Sequence, residues 1–544
     1  MAELVIGLDI GTSSSKAVAV DAGGTVVAAR SAAHGTSQPR PGWFEQDAEA
    51  VWWEQPAELL RGLQADERVA GSAIGAVGVS GLGPCLLVCD AAGSPLRPAI
   101  LYGIDMRATA EVAELTERLG AAGILARAGS ALSSQAVGPK LLWLQRHEPD
   151  VWARTARWFS ASSFLVERLT GEYLLDHHTA SQFDPMYDIR AQDWARDWAA
   201  ELSPGVPLPR LAWPGEVAGQ VTAAASAATG LPPGTPVLAG TVDAWAEAHS
   251  VGVRAAGDLM IMYGSTLFLV GVDPAARPHQ GLWLTAGLTP DTGTLAAGMA
   301  TSGLVANWVA ETAGQPVGDL VAAAGQVPPG ADGLVLLPYF AGERSPLFDP
   351  DARGVALGLT LAHTPAHLMR AALEAVAMGV RHNLEAFDSA RPGNSVRPGW
   401  SNWRPVAVGG GVGGAAGGGG APAALWPQIV SDVCRRPQDI PAQTVGASYG
   451  DALLAAAAAG LVPPDTDWTK IVATVEPRPE LAELYDRRYS VYRDLYEVTR
   501  PLLPRLLRQH QNQIHQPERA VDDPGPLHRA SAPRCHEGRR LAES

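Results

Sequence analysis

The chain is short of charge, and of positive charge above all: charged residues make up 18% of it, with Lys+Arg 41 against Asp+Glu 56, a net charge of -15. No basic run gathers anywhere, which excludes a polyphosphate backbone, and so nucleic acid, as its partner. Cysteine is scarce. Cys85, Cys89, Cys434 and Cys535 form neither a CxxC pair nor the dense framework of small secreted proteins, which predicts a reducing, cytoplasmic location. Long apolar runs are missing as well: MAELVIGLDIGTSSSK has no basic n-region and breaks at Asp9, and Ala455 to Ala459 is far too short to span a bilayer, so no membrane is expected. Two missing motifs bear on chemistry. There is no GxxxxGK[ST], and the HRD and DFG signatures are absent, so the P-loop and protein-kinase machines are both excluded.

What is present is apolar residue and turn former. Hydrophobic residues reach 47%, while Gly 59 and Pro 43 in 544 residues stay below the roughly 25–30% share of a low-complexity chain. A globular protein with a large core and many turns is expected, long enough for two large domains or three to four ordinary ones.

Leu4 to Leu8 reads as a strand, GTSSS as a tight turn, Ala17 to Val20 as the return strand and Val26 to Ala28 as a third, an antiparallel meander. From Asp47 an acidic cap leads into AEAVWWEQPAELLRGL at helical spacing despite Pro56. Ile74 to Val79, Leu86 to Val88, Ala108 to Leu119 and Lys140 to Arg146 continue the alternation of strand and helix, so the class is mixed α/β. The opening pattern then returns: Asp258 to Met262 is an apolar run, YGST a turn and Leu267 to Val270 a second run, which predicts two copies of one architecture around a shared cleft, divided near Gly252. Ala366 to Phe387 and Ala424 to Val433 read as helices. Ser389 to Arg404 and the glycine-rich Gly409 to Gly420 read as inserted loops, and residues 505–544, above all 510–544, as a disordered tail.

The strongest chemical signal is Asp9 before GTSSSK, since amides and hydroxyls of Gly11, Thr12, Ser13 and Ser14 can surround an anion while Asp9 holds a companion Mg²⁺, through water or directly. The alternative is an ordinary hairpin with a solvated Asp. A second turn at Gly264, Ser265 and Thr266 favours the first reading, because two such hairpins can clamp a phosphate chain from both sides. Asp243 stands at a strand end, where a carboxylate can act as general base or simply cap the next helix. Gly409, Gly411 and Gly414 spell a GxGxxG that glycine richness alone explains. His363 and His367 mimic a metal pair but begin a helix without a third ligand. Trp43, Trp52, Trp53 and Trp143 read as core packing rather than ring stacking, and Glu343 with Arg344 as an ion pair locking a loop.

Taken together, DIGTSSSKAVAVD, GTVDAWAEAHSVGV, YGST, PYFAGERSP, GLTLAHTPAHLMRAALE and WPQIVSD, in that order over about residues 4 to 500, resemble the FGGY carbohydrate kinase family. GWFEQDAEAVWWE, LRPAILYGIDMRA and PKLLWLQRHEPDVW look most like its xylulokinases. The resemblance implies an α/β fold of two actin-like (ribonuclease H-like) domains of the sugar kinase/Hsp70/actin type, 1–252 for the sugar, the first phosphate loop and the catalytic Asp, and 253–504 for the nucleotide. It implies ATP and Mg²⁺ as cofactors, a small-molecule sugar as substrate, with a homodimer as a possible assembly, and phosphorylation of a ketopentose, xylulose foremost. Asp243 is then the base, Asp9 the metal residue, and Gly11, Thr12, Ser13, Gly264, Ser265, Thr266, Gly303 and Asn307 nucleotide and phosphate contacts. Gly83, Pro84, Tyr102 and Asp105 fall in the sugar segments. The adenosine glycines are open between Gly409 to Gly411 and Gly418 to Gly420, so Gly410, Gly411 and Gly419 are all candidates.

Departures from the family pattern keep rivals in play. Leu82, Gly83 and Pro84 stand where xylulokinases carry Gln-Met-His, which removes polar partners for sugar hydroxyls and admits ribulose, L-xylulose or glycerol as acceptor. A non-catalytic, nucleotide-gated binding module is the rival outside catalysis. Ala356 and the YGDA around Gly450, in place of GAA, are expected to lie away from the chemistry.

Overall fold

The computed structural model describes residues 3–391, 403–412, 425–442 and 445–505. Gly414, Gly418 to Gly420, most of both inserted segments and the tail beyond Arg505 lie outside the described residues. The chain divides into one compact unit, Met1–Tyr496, and a second, Glu497–Ser544, of which the end of a helix is described.

The first half begins with the meander β1 (Glu3–Ile10), β2 (Ser14–Asp21) and β3 (Val26–Ala33). Its central strands are buried on both faces, which is why they read as near-continuous apolar runs. Asp47 caps the helical stretch after it, its carboxylate accepting from the amides of Glu49 and Ala50. Pro56 falls where a wide turn, Glu49–Glu54, gives way to α1 (Gln55–Gln64), so the amide it lacks breaks no α-helical bond. Next come β4 (Ala73–Gly81), β5 (Val217–Gln220), β6 (Pro236–Leu238) and β7 (Thr241–Val242), and then α2 (Asp243–Ser250). The first sheet runs β5-β6-β4-β1-β2-β3, with β7 also on β4. Strand β1 is antiparallel to β2 and parallel to β4.

The second half repeats the plan with β8 (Asp258–Tyr263), β9 (Leu267–Val272), an added edge strand β10 (Trp283–Ala286) and β11 (Gly293–Met299). Helices α3 (Gly303–Ala313) and α4 (Pro365–Ser389) come after these, then β12 (Arg404–Val408), α5 (Leu425–Cys434), β13 (Gln438–Pro441), α6 (Ala447–Ala458) and β14 (Ile471–Val475). Its sheet runs β10-β11-β9-β8-β12-β13-β14. Matching β3-β2-β1-β4-β6 with β11-β9-β8-β12-β13 gives the same order twice, each with an antiparallel meander and then parallel partners. This is a mixed α/β architecture made of two copies of one sheet plan, as the sequence predicts.

The halves exchange helices. Although α6 comes late in the chain, its Tyr449, Ala452 and Leu453 pack on Val5, Val18, Val20 and Leu238 of the first sheet. Conversely Trp245 and Ala248 of α2 pack on Met260, Val270 and Val408 of the second. The approach is close enough to demand glycine: a Cβ on Gly7 would lie 1.7 Å from Ser448 O, one on Gly78 2.1 Å from Asp451 O, and one on Gly450 1.9 Å from Ala246 O. Helices α6 and α2 therefore touch each other backbone to backbone between the sheets.

Three sequence expectations take their final form here. His367 Nδ1 meets the Thr364 hydroxyl at 2.8 Å in the cap of α4, and His363 closes the preceding turn at Thr360. Glu343 and Arg344 form no direct ion pair: the carboxylate accepts the amides of Ala300 and Arg344, while the guanidinium donates to Met299 O at 2.7 Å. Trp43 and Trp143 pack edge to face with Arg107 above both rings, a structural role. Among the described residues no helix is long and apolar enough to cross a membrane.

Candidate active site

The first turn hangs between β1 and β2, with Gly11 N donating to Ser14 O at 2.9 Å. Its carbonyls are held from behind. His34 Nε2 meets Gly11 O at 2.9 Å, Gln46 Nε2 donates to Thr12 O at 3.0 Å, and the His34 amide donates to Ser13 O. Buried Trp52 in turn fixes Gln46 by donating to its Oε1. With the carbonyls turned away, the exposed Ser13 and Ser14 are left to the open side, where an anion would meet donors rather than acceptors.

The second turn is built the same way. Gly264 N donates to Thr266 O at 3.0 Å, Gly303 N donates to Gly264 O at 3.0 Å, and Ser302 and Leu304 donate to Ser265 O. The N-terminus of α3 is thus laid on the turn, and Gly303 must be glycine because a Cβ there would sit 2.8 Å from Gly264 O. Ser265, Thr266 and, one turn along α3, Asn307 are exposed. Gly409 has φ +94° and its Cβ would meet Tyr263 O at 2.5 Å, while Gly411 is pressed on Trp426 and Tyr263; only Gly410 faces open space. Gly419 lies outside the described residues.

Carboxylates stand beside the first turn. Asp9 ends β1 and pairs in register with Ser80 of β4, whose Oγ is 3.1 Å from Asp9 Oδ1 and 2.6 Å from Asp451 Oδ2. Asp243 opens α2 and accepts the Ala244 amide at 2.7 Å, and Glu247 stands one turn later. One of the Asp243 oxygens is thus engaged by the first turn of α2. Burial, and then the charge of Asp243, push Asp9 well above the ordinary carboxylate range, with the Ser80 hydrogen bond opposing. Burial likewise raises Asp243, against the Ala244 amide, and burial followed by Asp243 pushes Glu247 up to about 7, against Lys16. Such a nest of like charges calls for a cation. Among the described residues no three acidic, His or Cys side chains converge as a chelating group.

The segments expected to meet the sugar lie near Asp243, whose charge acts on Tyr102. A Cβ on Gly83 would touch Val242 at 3.1 Å, and Tyr102 Oη meets Thr12 Oγ1 at 3.0 Å, joining this region to the first turn. Lys140 donates to the carbonyls of Leu101 and Tyr102. Arg344, from the other half, is close enough to Tyr102 to act on it electrostatically. Asp105 needs correction as a sugar contact. It is 1% exposed, and its oxygens are taken by the amides of Phe44 and Arg107 and by the Arg107 guanidinium, because the cation lies only two residues away. Pro84 is buried.

Sequence reasoning missed several groups. Gln135 bridges the two sugar segments, accepting from Gly103 N at 3.0 Å and donating to Gly83 O at 3.3 Å. It continues through Gln182 to His178, which Ala286 of β10 holds at 2.7 Å. The sequence sets Asp451 away from the chemistry, yet through Ser80 it lies two hydrogen bonds from Asp9. Lys16 stood in view in GTSSSK, whereas Ser80 and Gln135 carry no local signal.

Residues 4–249 match the model of the FGGY family of carbohydrate kinases, N-terminal domain, and residues 259–459 that of its C-terminal domain. The xylulose kinase of Escherichia coli (strain K12) is 28% identical over 512 residues, covering 92% of this chain and 100% of that protein. The glycerol kinase of Alkalilimnicola ehrlichii is 31% identical over 480 residues, covering 84% and 91%. Among solved structures, the xylulose kinase from Rhodospirillum rubrum superposes with a TM-score of 0.81 at 34% identity, covering 92% of this chain and 99% of the other.

Proposed function

Since the chain belongs to the FGGY family of carbohydrate kinases and is an ATP-using carbohydrate kinase, we propose that its acceptor is a ketopentose, xylulose, converted to xylulose 5-phosphate with Asp243 as general base. The observation that carries this reading is the nearness of Asp243 to Asp9 at the end of β1, together with a glycine-hydroxyl turn in each half. The xylulose kinases among the similar proteins support the choice of sugar.

In this reading Asp243 accepts the proton of the attacking hydroxyl, the sugar oxygen bonds to the γ-phosphorus in line, and the bond from that phosphorus to the bridging oxygen breaks to release ADP. Gly11, Thr12 and Ser13 face Gly264, Ser265 and Thr266 across the phosphates, Gly303 and Asn307 lie along the nucleotide, and Gly410 is the glycine open to the adenosine. Tyr102, Gln135 and Gly83 border the sugar. Mg²⁺, when bound, neutralises charge on the phosphates, and Asp9 is the residue that fits it. Enclosure keeps water from the γ-phosphate. The division at Gly252 belongs to the same proposal, each domain counting one helix lent by the other. So do a cytoplasmic setting, supported by the buried free thiols of Cys85, Cys89 and Cys434, and a homodimer, to be read by size-exclusion chromatography.

Leu82, 1% exposed, offers a sugar no hydrogen bond, and this keeps ribulose, L-xylulose and glycerol as competitors. A panel of pentuloses, hexuloses and polyols in an ADP-release assay decides. Xylulose is expected to give the highest kcat/KM by about tenfold or more, the worth of one well-made polar contact. A better rate with another acceptor reassigns the substrate, and ADP release that no sugar stimulates leaves a nucleotide-gated binding module.

A further inference from the structure

Ser80 carries a single hydroxyl hydrogen, yet its oxygen lies within hydrogen-bond distance of two carboxyl groups, Asp9 Oδ1 at 3.1 Å and Asp451 Oδ2 at 2.6 Å. It can donate to only one of them. If both were ionised, the other contact would set oxygen against carboxylate without a proton. One carboxyl must therefore bring its own hydrogen, and three features select Asp451. It makes the shorter contact, it is 0% exposed, and its second oxygen is buried without a partner, whereas Asp9 opens on the cleft. Burial raises the Asp451 carboxyl well above its ordinary range, against the Ser80 hydrogen bond and with Asp9 and Asp243 adding to it. The side chain has no room to withdraw, because α6 rests on the sheet at Gly78, against the Asp451 carbonyl.

We infer that Asp451 is a positioning residue: as a neutral carboxyl it donates to Ser80 Oγ, and Ser80 donates to Asp9 Oδ1, so that α6 fixes the orientation of Asp9. The remaining oxygen, Asp9 Oδ2, lies on the side of the first turn, 3.8 Å from where a Cβ on Gly11 would stand. The relay thus reserves Oδ2 for a cation brought in with the phosphates. The inference rests on the reading of Asp9 as the metal residue, and it assigns a use to the Asp that this chain carries in YGDA.

The test is calorimetric titration of Mg²⁺ into the full-length protein saturated with ADP, with thermal melting of each variant alongside, and it needs no sugar turnover. Asp451→Ala and Ser80→Ala are each expected to weaken Mg²⁺ binding about 10- to 100-fold, as loss of the group that orients a metal residue does. The double variant should be no weaker than either single one. Asp451→Asn, which keeps a neutral donor, should recover most of the affinity. Asp451→Ala binding Mg²⁺ as the unmutated protein does, or Asp451→Asn failing as badly as Asp451→Ala, overturns the inference. If Asp451→Ala does not fold, Ser80→Ala and Asp451→Asn decide between the same outcomes: Mg²⁺ affinity unchanged in the first, or lost in the second, overturns it. A wild-type protein whose ADP binding is indifferent to Mg²⁺ overturns the Asp9 reading itself, and the sugar panel judges the choice of acceptor independently.

Discussion

Asp243, the proposed base, holds one oxygen on the Ala244 amide and interacts electrostatically with Asp9 and Glu247. A base is active when deprotonated, and burial raises this one. On acidification kcat/KM is expected to fall with an apparent pKa above the roughly 3.9 of an unperturbed Asp, read from a pH–rate profile. Asp243→Asn should lower turnover by about 10²- to 10⁴-fold, the usual worth of a general base, while ADP binding measured by calorimetry stays close to wild type. Undiminished turnover would remove Asp243 from the reaction. At this scale much was legible. The two glycine-hydroxyl turns and the aspartates at strand ends announce themselves because their spacing is local. Asp105 misled because a sequence shows an acid in the right segment but not that Arg107 has already engaged it. Ser80 and Asp451 escaped because 371 positions separate them and neither belongs to a local motif.

Between residue and molecule, the exchanged helices set the geometry. The alternation of apolar runs predicted the strands and most helices within a few residues, since each buries its own face. Nothing local says that α6 serves the first sheet and α2 the second. The trace of it lies in the glycines: Gly7, Gly78 and Gly450 each stand where a backbone from the other half comes within contact. Gly450→Ala would drive a methyl into Ala246 O. It should cost about 1–3 kcal/mol of stability, the usual penalty of an overpacked contact, measured by denaturant unfolding. Because α2 also carries Asp243, kcat should fall with it. Wild-type stability in this variant would show that the helices can part freely.

For the whole molecule, the repeated strand order was foreseen from the return of a strand, turn and strand pattern at Asp258. The seam between the halves was not. Ala286 of the edge strand β10 receives His178 Nδ1 and donates to the Ser181 hydroxyl at 3.0 Å. These polar ties border the Gln135 bridge to the sugar segments, and one net hydrogen bond is worth about 1 kcal/mol. Ser181→Ala should loosen the seam enough to raise sugar-independent ATP hydrolysis, relative to sugar phosphorylation, by about fivefold, measured as phosphate release with and without sugar. An unchanged ratio would mean that this seam does not govern water entry.

The crossed helices carry a consequence for how such a protein can be inherited. Val5, Val18, Val20 and Leu238 are covered by a helix encoded more than 200 positions downstream of all four. A copy of either half made alone would emerge with one wall of its core bare, prone to clump with its neighbours. Recombination near Gly252 could therefore not trade one half for a foreign counterpart unless the visitor's lent helix also fitted its new host, and lineages of this architecture are bound to evolve their two halves in step.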